Sequence, residues 1–108
     1  PVVAYIQQHA TQINSRQDVA EAMGLSLDQI SARIQVATSQ SFRKLLHTYR
    51  LKNAMQLLET TEMEIASIAS RTGFATVQHF SRVFSNLVGV SPRKYRQQRR
   101  LGYPSSAL

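Results

Sequence analysis

The chain has 108 residues, 43% of them hydrophobic, which provides for one domain with a small core or for two smaller cores. It contains no cysteine, which excludes disulfides, thiolate metal sites and a cysteine nucleophile, and suits a reducing compartment. Its formal charge is +7, and all six acidic residues lie at or before Glu64, so the stretch from Ile65 to Leu108, with seven basic residues and no acid, has the surface to attract a polyanion, either nucleic acid or an anionic membrane.

Gly and Pro are few, and no run alternates with period two. Apolar residues recur at helical spacing instead, which predicts an all-α protein of about seven helices. Val2, Val3, Ile6, His9 or Ala10, and Ile13 predict a first amphipathic helix fading near Asn14. Ser15 with Asp18 reads as a capping box opening a short helix through Met23, stopped by Gly24. Ser26 with Gln29 opens a third helix carrying Leu27, Ile30 and Ile34, and the small, polar residues 37–41 form a connection. From Phe42 to about Thr60 runs the longest helix. Its apolar stripe changes sides partway, from Phe42, Leu45, Leu46 and Tyr49 to Leu51, Ala54, Met55, Leu57 and Leu58, as expected of a helix packing against a different body at each end. Thr61 with Glu64 reads as another capping box, ahead of Ile65, Ile68 and Ala69. Ser91-Pro92 pairs a cap with proline at the first helical position of the last helix. Residues 101–108 show no periodicity and are expected to form a mobile tail.

The two halves repeat each other. Val19-Ala20 with Gly24 matches Ile68-Ala69 with Gly73, 49 residues apart. In a helix-turn-helix the second helix crosses closely over the first, so a small side chain is needed at the crossing, and the turn needs a residue that tolerates positive φ. The second helix of the second unit, projected at about 100° per residue, gathers Val77, Phe80, Val83, Phe84 and Leu87 on one side. Opposite lie Gln78, Arg82 and Ser85, flanked by His79, Ser81 and Asn86. A surface helix usually mixes Glu and Lys on its polar face, and this one has neither. Amide, imidazole, guanidinium and hydroxyl groups suit base edges: Arg for guanine, Gln for adenine, Ser for either. The expected base readers here are Gln78, His79, Ser81 and Arg82.

The residues Ile68, Ala69, Gly73, Phe74, Phe80-Ser81-Arg82-Val83-Phe84, Gly89-Val90-Ser91-Pro92 and Tyr95-Arg96 closely resemble the signature of the AraC/XylS family of bacterial transcription regulators. The long helix fits the same pattern through Arg50, Leu51, Ala54, Leu57 and Leu58, so the resemblance covers about residues 3–96. It implies two helix-turn-helix subdomains, residues 1–41 and 61–100, joined by a linking helix over 42–60. It also implies two recognition helices in successive major grooves of double-stranded DNA, regulating and most often activating transcription in the cytoplasm. Contacts with RNA polymerase, and a missing N-terminal domain that senses a signal or dimerises, are implied too; Pro1 in place of an initiator Met points to a fragment or a processed chain.

The first unit departs from the pattern. Matched residue by residue, Gln78 corresponds to Asp28, Arg82 to Ala32 and Ser85 to Gln35; Ile34 stands for the usual Phe, and Ser39 for the expected Gly. A carboxylate facing phosphates is repelled unless cytosine N4 donates to it, and Ala32 offers only an apolar contact, for example to a thymine methyl. Gln29, Ser31 and Arg33 remain as base or backbone contacts from the flank. The expectation is an asymmetric reader, with most specificity in the second unit. Phosphate contacts, which position without reading sequence, are expected from Arg33, from Arg43 and Lys44, from Arg93 and Lys94, and from amides at the helix starts capped by Ser26 and Ser91. For Arg96 a structural role and a phosphate contact stand equal.

An enzyme is disfavoured because His9, His47 and His79 lie on different helices, without a metal-binding pair, Gly-rich phosphate loop or carboxylate dyad in the basic half. No cofactor or metal is expected. A basic helical module for protein interaction or anionic membranes is the other reading, but such helices expose their aromatic residues, and these phenylalanines are needed to close small cores. The apolar runs fall short of the roughly 18 residues of a membrane helix, and no secretory signal is visible.

Overall fold

The computed structural model describes residues 1–102 and builds seven α-helices and no strand over them. They are α1 (Val2–His9), α2 (Arg16–Met23), α3 (Leu27–Thr38), α4 (Phe42–Thr60), α5 (Ile65–Arg71), α6 (Val77–Val88) and α7 (Pro92–Arg100). The tail expected to be mobile lies, from residue 103 onward, outside the described residues.

The chain divides into two compact units, with the boundary between Tyr49 and Arg50, inside α4. The change of sides in the α4 stripe is the reason. Leu45 and Leu46, with Phe42 and Tyr49 beside them, are buried in a first core with Ile6, Val19, Ile30 and Ile34. Leu51, Ala54 and Leu58 are buried in a second core with Ile68, Phe80, Phe84 and Tyr95. The helix read as a separate linker is thus shared between the units.

The repeat is present at the level of single hydrogen bonds. Gly24 takes φ +67° and Gly73 φ +101°; the following Leu25 and Phe74 amides each donate at 3.0 Å to the carbonyls of Ala20 and Ala69. Both alanines are buried, each in the core of its own unit. From there the register between units is 50 residues, because the second turn carries one more residue. The N-caps are Ser26 and Thr76, the C-caps Ser39 and Gly89, and the next helix starts behind Ser41 and Ser91.

The cores differ in chemistry. In the second unit Phe74, Phe80, Phe84 and Tyr95 form a chain of edge-on and tilted rings with centroids 5.2, 5.7 and 5.6 Å apart. The first unit places Leu25, Ile30, Ile34 and Leu45 in the matching places. Offset aromatic pairs add about 0.5–1.5 kcal/mol each beyond the area they bury.

Three local expectations are corrected. The helix expected to fade near Asn14 ends at His9, and a further turn closed by the Ile13 amide on the His9 carbonyl (3.1 Å) carries Ala10 and Ile13 into the core. Ser15 makes no side-chain cap, and Asp18 accepts instead from the Asn14 amide at 2.8 Å. Thr61 does not cap α5. Its hydroxyl lies within reach of the last, unsatisfied carbonyls of α4; it donates to Leu57 O at 2.7 Å and accepts from the Met63 amide. Glu64 takes the N-cap position without a side-chain bond.

Candidate nucleic-acid interface

α6 is fixed from below and open above. Thr76 Oγ1 accepts from the His79 amide at 3.0 Å and starts the helix, while Phe80 and Phe84, both fully buried, and Val88 hold its inner side. The outer side presents Gln78, Arg82 and Asn86, one turn apart and all exposed, with Ser81 and Ser85 half-buried along the edge. No carboxylate occurs anywhere on this helix. His79 differs from its neighbours: it is half-buried, its ring edge-on to Phe74 at 5.6 Å, so part of its surface belongs to the core. On the same Phe74 ring lies the buried Arg50 guanidinium, 5.6 Å from the centroid. Burial lowers its pKa from the ordinary arginine value, and the negative face of the ring compensates part of that cost.

In the corresponding helix of the first unit, two of the polar side chains hold partners within that unit. Ser26 and Gln29 form a complete capping box: the Gln29 amide donates to Ser26 Oγ at 3.1 Å, and Gln29 Oε1 accepts from the Ser26 amide at 2.9 Å. Ser31 is half-buried and accepts from Arg16 Nη1 at 2.7 Å. Arg33 is exposed and lines an apolar groove with Pro1, Val2, Val3, Ala32, Val36 and Ala37. Of the three side chains expected to reach DNA from this helix, two therefore hold partners inside the unit. The stripe equivalent to Gln78, Arg82 and Asn86 is Asp28, Ala32 and Val36, exposed throughout.

The basic residues sort into two groups. Arg43-Lys44 and Arg93-Lys94 occupy matching first turns of α4 and α7, behind Ser41 and Ser91, whose hydroxyls accept from the Lys44 and Lys94 amides at 3.2 and 3.1 Å. All four side chains are exposed, and none of them hydrogen-bonds or ion-pairs with the described residues. Ser26 and Ser91 each accept from one amide of the turn they cap, that of Gln29 and that of Lys94.

The second group holds partners within its own unit. Arg96 donates from Nε to Leu58 O and from Nη2 to Thr61 O, each at 3.1 Å. Arg99 pairs with Glu59 at 3.1 Å and Arg100 with Glu62 at 2.7 Å, while the Tyr95 hydroxyl donates to Glu59. These cations gather at the C-terminal end of α4, where exposed carbonyls favour positive charge. Arg96 is thus bound up in structure, and of the basic residues in the acid-free stretch from Ile65 onward, Arg71, Arg82, Arg93 and Lys94 are exposed and outside this group. No group of metal-ligating side chains occurs among the described residues, and no helix there is long and apolar enough to cross a membrane.

A family model described as a helix-turn-helix domain matches residues 19–98. The chain is 32% identical over 98 residues to the HTH-type transcriptional activator RhaS of Enterobacter sp. (strain 638), covering 91% of this chain and 35% of RhaS. Among solved structures it is similar to the C-terminal domain of AraT, a response regulator from Geobacillus stearothermophilus, at 36% identity and a TM-score of 0.84, covering 91% of this chain and 82% of that one. It is also similar to the DNA-binding domain of the global transcriptional factor AdpA in complex with a target DNA, at 27% identity and a TM-score of 0.86, covering 94% and 91%. The chain spans between about a quarter and a third of the length of the curated relatives it matches.

Proposed function

The chain belongs to the AraC/XylS family, and from that membership and the geometry of α6 we propose that it is a sequence-specific double-stranded DNA-binding unit of a transcription regulator. The observation that carries the reading is the outward stripe of Gln78, Arg82 and Asn86, free of carboxylate and mounted on a rigid aromatic core. Arg bidentate to guanine and Gln bidentate to adenine are the pairings such a stripe offers in a major groove. Ser81 contributes from the edge, and His79 does so with the part of its ring that Phe74 leaves uncovered.

Residues 1–41 and 61–100 act as two docking subdomains tied by 42–60, placing α3 and α6 in successive major grooves. The reader is asymmetric: α6 supplies most of the specificity, and α3, with Gln29 and Ser31 held in place, mainly position and area. Arg43, Lys44, Arg93 and Lys94 neutralise phosphates on either flank, with Arg33 beside them. The regulator works in the cytoplasm, contacts RNA polymerase when it activates, and takes its signal or its dimer contacts from an N-terminal domain; this unit catalyses no reaction. RhaS, named as an activator, supports the direction of regulation.

The test is selection of bound DNA from a random pool, followed by a gel shift with random competitor beside a liposome pull-down. Retention of one DNA sequence supports the proposal. Equal retention of all sequences together with binding to anionic vesicles points instead to a basic membrane module, whose exposed aromatic face would have to come from somewhere other than the buried Phe80 and Phe84.

A further inference from the structure

The outward stripe of α3 contains a side chain that the periodicity of the sequence does not single out. Val36 is 88% exposed, one turn beyond the exposed Ala32. The matched register between the units gives the pair its meaning. The buried anchors Ile30 and Ile34 correspond to Phe80 and Phe84, and the caps on either side, Ser26 with Thr76 and Ser39 with Gly89, fall in the same register. Ala32 and Val36 therefore stand where the second unit presents Arg82 and Asn86.

We propose that Val36 and Ala32 make the first unit a reader of thymine methyl groups, so that its half of the DNA site is selected by apolar contact. This inference rests on the proposed DNA-binding function and names the chemistry of one half of the site. Gln29 is held by the capping box and Ser31 by Arg16, which leaves the stripe two aliphatic side chains and Asp28. In the major groove the thymine 5-methyl is the one apolar group a base pair offers, so it is the match for such a surface. Exposed cations in the same unit favour DNA as the occupant. Arg33 is exposed on the adjoining edge, and Arg43 with Lys44 repeats the exposed, serine-capped turn of Arg93 with Lys94.

The test begins with the site selected from a random pool. The first unit's half is the one whose sequence preference survives Arg82→Ala. Each thymine in that half is then replaced by deoxyuridine, which removes the methyl group alone. At one or two positions affinity should fall about fourfold, the amount expected for one methyl group leaving an apolar contact. Val36→Asn, which keeps the fold because the side chain is exposed, should abolish that sensitivity; a thermal melt checks the fold. Unchanged affinity at every deoxyuridine position, with the preference of the other half intact, overturns the inference alone. So does a Val36→Asn variant that keeps full sensitivity, because the methyl group is then read by another side chain. Failure to select any sequence overturns the DNA-reading proposal as well.

Discussion

Arg96 closes the C-terminal end of α4 through Leu58, donating from Nε to the Leu58 carbonyl at 3.1 Å while Nη2 reaches Thr61 O. One planar guanidinium thus reaches two carbonyls at the end of α4 and ties α7 to it, and Thr61 O accepts also from Arg100 Nη2 at 3.3 Å. Arg96→Ala should lower the stability of the second unit by about 1.5–3 kcal/mol, the range for hydrogen bonds to a charged group. Arg96→Lys should recover little, because an ammonium lacks the planar fork. Urea melts measure both. A phosphate-binding role would predict unchanged melts and weakened DNA binding.

Ser39 is the non-glycine residue with positive φ among the described residues, at +57°, where Gly89 stands at +95° in the second unit. A side chain in left-handed backbone costs on the order of 1–2 kcal/mol, partly offset by the greater freedom glycine has in the unfolded chain. Ser39→Gly should therefore stabilise the first unit by about 0.5–1 kcal/mol, read as a raised melting temperature. A lowered one would mean that Ser39 contributes a contact outweighing the strain.

The two groups of basic residues should separate in salt titrations. With about six phosphates neutralised, log K should fall against log salt with a slope near −5. Lys94→Ala or Arg43→Ala should reduce that slope by about one and leave sequence preference as it was. Arg99→Ala, which removes a partner of Glu59, should leave the slope unchanged. A flat salt response in the parent protein would contradict the phosphate assignments altogether.

The helices and the two cores were legible in the sequence because they rest on periodicity: the side change along α4 predicts the division that falls at Tyr49 and Arg50. Caps were legible only where no neighbour competes. Ser26 and Ser91 cap as expected, whereas Thr61 is captured by the end of α4. Thr76 was missed because His79, three residues on, lacks the reciprocal carboxylate or amide of a capping box. The bond from Arg16 to Ser31 and those from Arg96 to Leu58 and Thr61 join residues far apart in the chain, which local spacing does not reveal. Val36 gains significance only once the register of the repeat and its exposure are both known.

The proposed asymmetry of α3 and α6 is read out by one set of binding measurements. Gln78→Ala, Arg82→Ala, Gln29→Ala and Ser31→Ala are compared on the selected site and on a scrambled one. Gln78→Ala and Arg82→Ala should each remove about 1–3 kcal/mol of discrimination, the scale of a good bidentate base contact. Gln29→Ala and Ser31→Ala should change discrimination little, since both side chains already hold partners within the first unit. Equal or larger losses from the first unit would mean that α3 reads bases as strongly as α6.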